Sequence, residues 1–81
     1  MLGDNIKAAR KAAGLSQQGA ANASGTGLAH YGRVERGEID PQVGTLVRIA
    51  AGLGVSAAYL LRGIDVKPRE TPARPREHQA E

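Results

Sequence analysis

Apolar residues recur along this chain at helical spacing, in short segments separated by glycine. Leu2, Ile6, Ala9 and Ala13 fall at i, i+4, i+7 and i+11, with Lys7, Arg10 and Lys11 mostly turned away, and Gly14 follows as a stop. This pattern predicts an amphipathic helix of about three turns. Ser16 is a good N-cap for a second segment, Gln17 to Ser24, which is alanine-rich and ends at Gly25-Thr26-Gly27. A helical pattern resumes at Leu28, runs to Arg36 and stops at Gly37, after which Asp40-Pro41 marks a loop and the entry to another helix. Val43, Leu46, Val47, Ala50 and Leu53 give a further 3.6-residue stripe closed by Gly54, and Ser56 caps a last short helix carrying Leu60 and Leu61. The expectation is an all-α fold of five short helices, with no strand.

Two helices joined by a three-residue, glycine-bearing turn form a helix-turn-helix pattern, in which the second helix presents one face to the DNA major groove. At 100° per residue, Tyr31 and Val34 lie on one side of the segment 28–36. Leu28, Ala29, Gly32 and Arg33 fall within an arc of about 140° on the other. One side is expected to pack and the other to face a ligand.

Composition narrows the classes further. The 81 residues make one small domain, too short for a doubly wound sheet or a barrel enzyme. Of the 41% hydrophobic residues, 14 are alanine, and Leu, Ile, Val and Phe together number 16, so the core must be thin. Zero cysteine excludes a disulfide scaffold, thiolate zinc sites and thiol catalysis, and points to a cytoplasmic protein. No apolar run approaches the roughly 20 residues that span a bilayer, and no signal-peptide core is evident, so no membrane partner is expected.

The net charge of +3 resides in residues 1–63, where Lys7, Arg10, Lys11, Arg33, Arg36, Arg48 and Arg62 face Asp4, Glu35, Glu38 and Asp40. Residues 64–81 balance four bases with four acids around Pro68, Pro72 and Pro75 and hold almost nothing apolar after Val66. We expect a folded domain over 1–63 and a disordered tail or linker over 64–81.

The run Leu2-Gly3, Ile6, Arg10-Lys11, Gly14-Leu15-Ser16-Gln17, Ala21, Gly25, Arg33-Val34-Glu35-Arg36-Gly37, Pro41, Leu46, Ile49-Ala50, Leu53-Gly54-Val55-Ser56, Leu60-Leu61 resembles the Xre-type, phage repressor and Cro-like helix-turn-helix DNA-binding family. The resemblance covers about residues 2–63 without a gap, and it is the order and spacing of these pieces together that is specific. It implies a lambda-repressor-like five-helix fold, sequence-specific binding to double-stranded DNA, and a homodimer on roughly palindromic operators, paired through the C-terminal helix with Leu60 and Leu61. It also implies an ion pair between Arg10 and Glu35 that ties the first helix to the third. The chain departs from the family where a large aliphatic is usual at Ala20 and Ser24, an acid at Gly19, and a Ser or Thr cap at Gly27. These departures predict a hollowed core and a poorly capped recognition helix, with Tyr31 refilling part of the space.

Each candidate contact has a functional and an ordinary reading. Gln17 opens the second helix, where backbone N–H groups and the helix dipole favour a phosphate; its amide would donate to a phosphate oxygen, or would simply be solvated. Arg33 is the strongest base-reading candidate, because its guanidinium matches guanine O6 and N7 bidentately; a phosphate contact or a solvent-facing charge is the other reading. Leu28 and Ala29 would touch a thymine methyl or pack the helix start. Gly27 and Gly32 have no side chain to read with, and Gly32 would permit close approach of the helix. Arg36 sits one turn past the readout face and suits phosphate or solvent. His30 and His78 make no metal pair with local carboxylates, and neither a metal nor a cofactor is expected. Ser16, Ser24 and Ser56 sit at helix caps or ends, and no nucleophile elbow occurs, so the chain is not expected to be an enzyme.

The leading expectation is a transcriptional regulator, a repressor in character, that inserts the helix 28–36 into the major groove of an operator as a dimer. Three rivals stand beside it: an antitoxin-like or adaptor module holding a protein partner through the C-terminal helix or tail, a degenerate helix-turn-helix domain that binds DNA weakly, and the DNA-binding half of a longer regulator.

Overall fold

The computed structural model describes residues 1–64, so the proline-bearing segment from Asp65 onward, with His78, lies outside the described residues. Five helices follow in order: α1 Leu2–Ala12, α2 Gln17–Ser24, α3 Leu28–Glu35, α4 Val43–Leu53 and α5 Ala57–Leu60, and no strand occurs among the described residues. The all-α expectation holds, with boundaries within a residue of those read from capping and stop signals.

Local chemistry explains the boundaries. The Ser16 hydroxyl accepts a hydrogen bond from the Gly19 N–H at 3.0 Å and the Ser56 hydroxyl one from the Tyr59 N–H at 3.0 Å, each satisfying a donor that the first helical turn leaves free. At the other ends, Gly25 and Gly54 turn the chain left-handed with φ of 70° and 75°. This lets Thr26 N–H reach Ala21 O and Val55 N–H reach Ala50 O, both at 3.0 Å. The start of α3 at Gly27 carries no side-chain cap, as the sequence implies.

The core comprises Ile6, Ala9, Ala20, Ala21, Tyr31, Val34, Leu46, Ile49, Ala50, Leu53 and Leu60. Within it α2 packs on α3 and α4, α1 on α3 and α5, and α5 also on α4. At the small residues of α2, α4 lies backbone-close: a Cβ placed on Gly52 would fall 2.9 Å from the carbonyl carbon and oxygen of Ala23 and 3.0 Å from the Ser24 hydroxyl. Tyr31, the largest of the fully buried side chains, fills further volume.

Two parts of the expected apolar pattern are corrected. Val43 and Val47 are 77% and 51% exposed, whereas Ile49 is fully buried. At 100° steps, Leu46, Ile49, Ala50 and Leu53 share one arc and the two valines fall at its edge. Leu61 caps α5 rather than packing and is exposed, while Leu60 is buried. Asn5 closes the end of α5, its amide donating to Leu60 O at 2.8 Å and to Arg62 O at 2.9 Å.

Candidate nucleic-acid interface

The turn over 25–27 sets α3 across α2, so that α3 has an inner and an outer side. Tyr31, Gly32, Val34 and Glu35 are buried; Leu28, Ala29, His30 and Arg33 are exposed. Ala29 and Arg33 therefore project outward one turn apart on the same side, as the helical arithmetic requires. Leu28 is 43% exposed at the first helical position. Gly27 precedes it as N-cap, with nothing within 4 Å of where a Cβ would stand.

The inner side is held by a buried carboxylate. Glu35, whose side chain is 2% exposed, accepts from Arg10 Nε at 2.7 Å and Nη2 at 3.1 Å in a two-pronged pair, and from Gln17 Nε2 at 2.8 Å. Arg10 also donates through Nη1 to Leu15 O at 3.0 Å, so one guanidinium ties α1, the α1–α2 loop and α3 together. Burial pulls the Glu35 pKa upward, but the hydrogen bonds from Arg10 and Gln17 outweigh it and leave the carboxyl below its ordinary value. The same bond to Glu35 raises the Arg10 pKa. The Tyr31 hydroxyl is buried and makes no hydrogen bond, and its pKa is pushed up, first by burial and then by the adjacent Glu35 carboxylate.

Gln17 thus differs from the free phosphate donor read from sequence. One N–H of its amide is committed to Glu35, which fixes the side chain at the start of α2 and leaves the other N–H for a ligand. Gly32 requires a firmer correction: it is buried and does not open onto the outer face. Its cover is the Arg36 side chain, whose Nη1 lies 3.0 Å from where a Gly32 Cβ would stand, with Gln17 Oε1 at 4.0 Å from the same point. Arg36 follows α3 as its C-cap, and its guanidinium folds back over Gly32.

Glu38 completes the surface and was not singled out in the sequence. Its carboxylate takes Arg36 Nε at 2.7 Å and lies 3.9 Å from Arg33 Nε, with all three side chains about half exposed or more. The bond to Arg36 holds the Glu38 carboxyl below its usual range and raises Arg36 correspondingly. No sequence pattern signals this, because position 38 lies past the end of α3, where helical spacing no longer applies. His30 is exposed on α3, and among the described residues no cluster of His, Asp or Glu is arranged to hold a metal ion.

A five-helix bundle whose second and third helices meet at a glycine turn, with the inner side of the third helix anchored by a buried carboxylate, has the architecture of a helix-turn-helix domain. The sequence model of the Helix-turn-helix family matches residues 6–60, and the chain belongs to that family, in its Xre type. Over 63 residues it is 38% identical to the SPbeta prophage-derived uncharacterized HTH-type transcriptional regulator YonR of Bacillus subtilis, covering 78% of this chain and 58% of that protein's length. The P22 C2 repressor DNA-binding domain has a similar structure, with a TM-score of 0.74 and 28% identity over 78% of this chain and 83% of that one. The restriction-modification controller protein C.AhdI from Aeromonas hydrophila gives a TM-score of 0.71 and 30% identity, covering 73% of this chain and 89% of that one. An HTH_3 family transcriptional regulator from Vibrio cholerae gives 0.70 and 37%, covering 74% and 34% respectively.

Proposed function

We propose that residues 1–63 form a DNA-binding domain that docks on operator duplex as a homodimer and represses transcription in the cytoplasm. In this reading α3 enters the major groove. Arg33 addresses a guanine edge, Ala29 and Leu28 meet thymine methyls, and Gln17 at the start of α2 donates its free amide N–H to a phosphate. Gly27 lets the backbone approach the duplex at the helix start, and on the operator Arg36 exchanges Glu38 for a second phosphate. The observation that carries the proposal is the outward pairing of Ala29 and Arg33 on a helix whose inner side is anchored by Glu35. Support comes from the similarity to the DNA-binding domain of the P22 C2 repressor and to the restriction-modification controller protein C.AhdI. Tyr59 and Leu61 stand exposed at the end of α5, where two copies would meet, with Arg62 stacked 3.9 Å above the Tyr59 ring. The segment beyond residue 63 serves as a linker or tail. Neither a cofactor nor catalysis has a part in this function.

The test is selection of bound sequences from a random duplex pool at two salt concentrations. The expected result is a two-fold-related motif with half-sites about one helical turn apart. Affinity should fall by at least about tenfold between about 50 and 200 mM salt, because bound phosphates release counterions. Enrichment of no motif, with affinity flat in salt, would favour the protein-partner reading.

A further inference from the structure

Arg36 and Glu38 lie beside the outer face of α3, and three observations about them converge. The Arg36 guanidinium is folded back over Gly32, in space that any larger residue at 32 would occupy. Glu38 accepts from it through Nε at 2.7 Å, and Nη2 lies 3.5 Å from the second oxygen, so the carboxylate faces the guanidinium edge. The same carboxylate lies 3.9 Å from Arg33 Nε, which places one negative charge against both arginines of the proposed interface. Arg33, Arg36 and Glu38 together present a single net positive charge where two arginines alone would present two.

We propose that Glu38 is a specificity determinant that withholds Arg36 from phosphate and so suppresses binding to DNA of arbitrary sequence. The inference rests on the duplex-binding reading above and adds to it. Phosphate contacts position a protein without reading sequence, so each one strengthens binding to all duplexes alike. A guanidinium already paired must exchange a carboxylate for a phosphate, and the carboxylate left behind then faces the DNA. Both effects weaken sequence-independent binding, and the ratio of specific to non-specific affinity is what selects an operator from a genome. Gly32 contributes by leaving the surface on which Arg36 lies folded.

The experiment measures affinity for a random-sequence duplex across a salt series with the full chain and four variants: Glu38→Gln, Arg36→Ala, the double variant, and Asp4→Asn. The last removes one exposed acid from the first turn of α1, so it controls for net charge. Glu38→Gln should bind about three- to tenfold more tightly at low salt, and the slope of log K against log salt should steepen by roughly 0.9, the value for one more neutralised phosphate. On this random-sequence duplex Arg36→Ala alone should change affinity little, because Glu38 already holds that guanidinium away from phosphate there, and the double variant should lose the gain. If Asp4→Asn gives the same gain, or the gain persists without Arg36, general charge is responsible and the proposal falls. Unchanged binding by Glu38→Gln overturns it as well. Absence of binding by the parent chain and every variant would overturn the duplex-binding reading, and this inference with it.

Discussion

Glu35 is the residue on which the most interactions converge. A carboxylate this deeply buried is tolerated only because Arg10 grips both oxygens and Gln17 adds a third donor. Removing one partner strands the other charge. We therefore expect Glu35→Gln and Arg10→Met each to cost about 3 kcal/mol, read as a fall in melting temperature, with Arg36→Ala causing much less change because its pair is exposed. Equal melting temperatures for all three would show that the Arg10–Glu35 pair contributes nothing. The pair also sets an acid limit. Because the folded-state pKa of Glu35 is lowered, its stabilisation is complete above the unfolded carboxyl value of about 4.3 and is lost as pH falls through the folded value. The melting-temperature gap between the parent chain and Glu35→Gln should accordingly close between about pH 5 and pH 2; a gap constant with pH would contradict this. The pairing of Arg10 with Glu35 follows in sequence only from the family resemblance. The engagement of Gln17 was not legible, since it depends on how α2 crosses α3.

At the level of elements, α2 and α4 show how an alanine-rich chain closes a core. Ala20 and Ala21 are fully buried, and at Gly52 the α4 backbone comes up against Ala23 and Ser24. Gly52→Ala places a methyl against backbone that cannot rotate away, so it should cost about 1–3 kcal/mol despite alanine's better helix propensity. Gly19→Ala is the contrast. Its Cβ would meet only the Ser16 hydroxyl at 3.4 Å and Leu15 side-chain carbons from 3.5 Å, so it should be neutral or stabilising by up to about 1 kcal/mol. Thermal melts of the two variants in opposite order would refute this packing. Helix ends were legible because their signals are local: Ser16, Gly25, Gly54 and Ser56 act within a turn of themselves. The buried arc of α4 was less so, because Val43, Val47 and Ile49 are equally apolar and only the crossing with α2 decides which of them is covered. The role of Gly52 is a tertiary contact that no local pattern announces.

Over the whole molecule, the interface rests on how three segments distant in sequence fix one face of α3. Position 10 on α1 and position 17 on α2 lock Glu35 inward, and Ala29 and Arg33 are thereby turned outward. The outward placement of Ala29 and Arg33 was legible from helical arithmetic, whereas the cover over Gly32 and the presence of Glu38 beside both arginines arise where the chain leaves the helix and periodicity ends. In the proposed function this face reads base edges through Arg33 while Gln17 only anchors the backbone. The most direct measurement is a cycle between protein and DNA, in which Arg33→Ala and Gln17→Ala are each scanned against every base pair of the selected operator at fixed salt. Arg33→Ala should cost about 1–3 kcal/mol on the best site and little on a site already altered at the contacted base pair, whereas Gln17→Ala should weaken all sites alike. If Arg33→Ala instead weakens every operator variant by the same factor, the arginine is a phosphate contact and the base-reading role assigned to it is wrong.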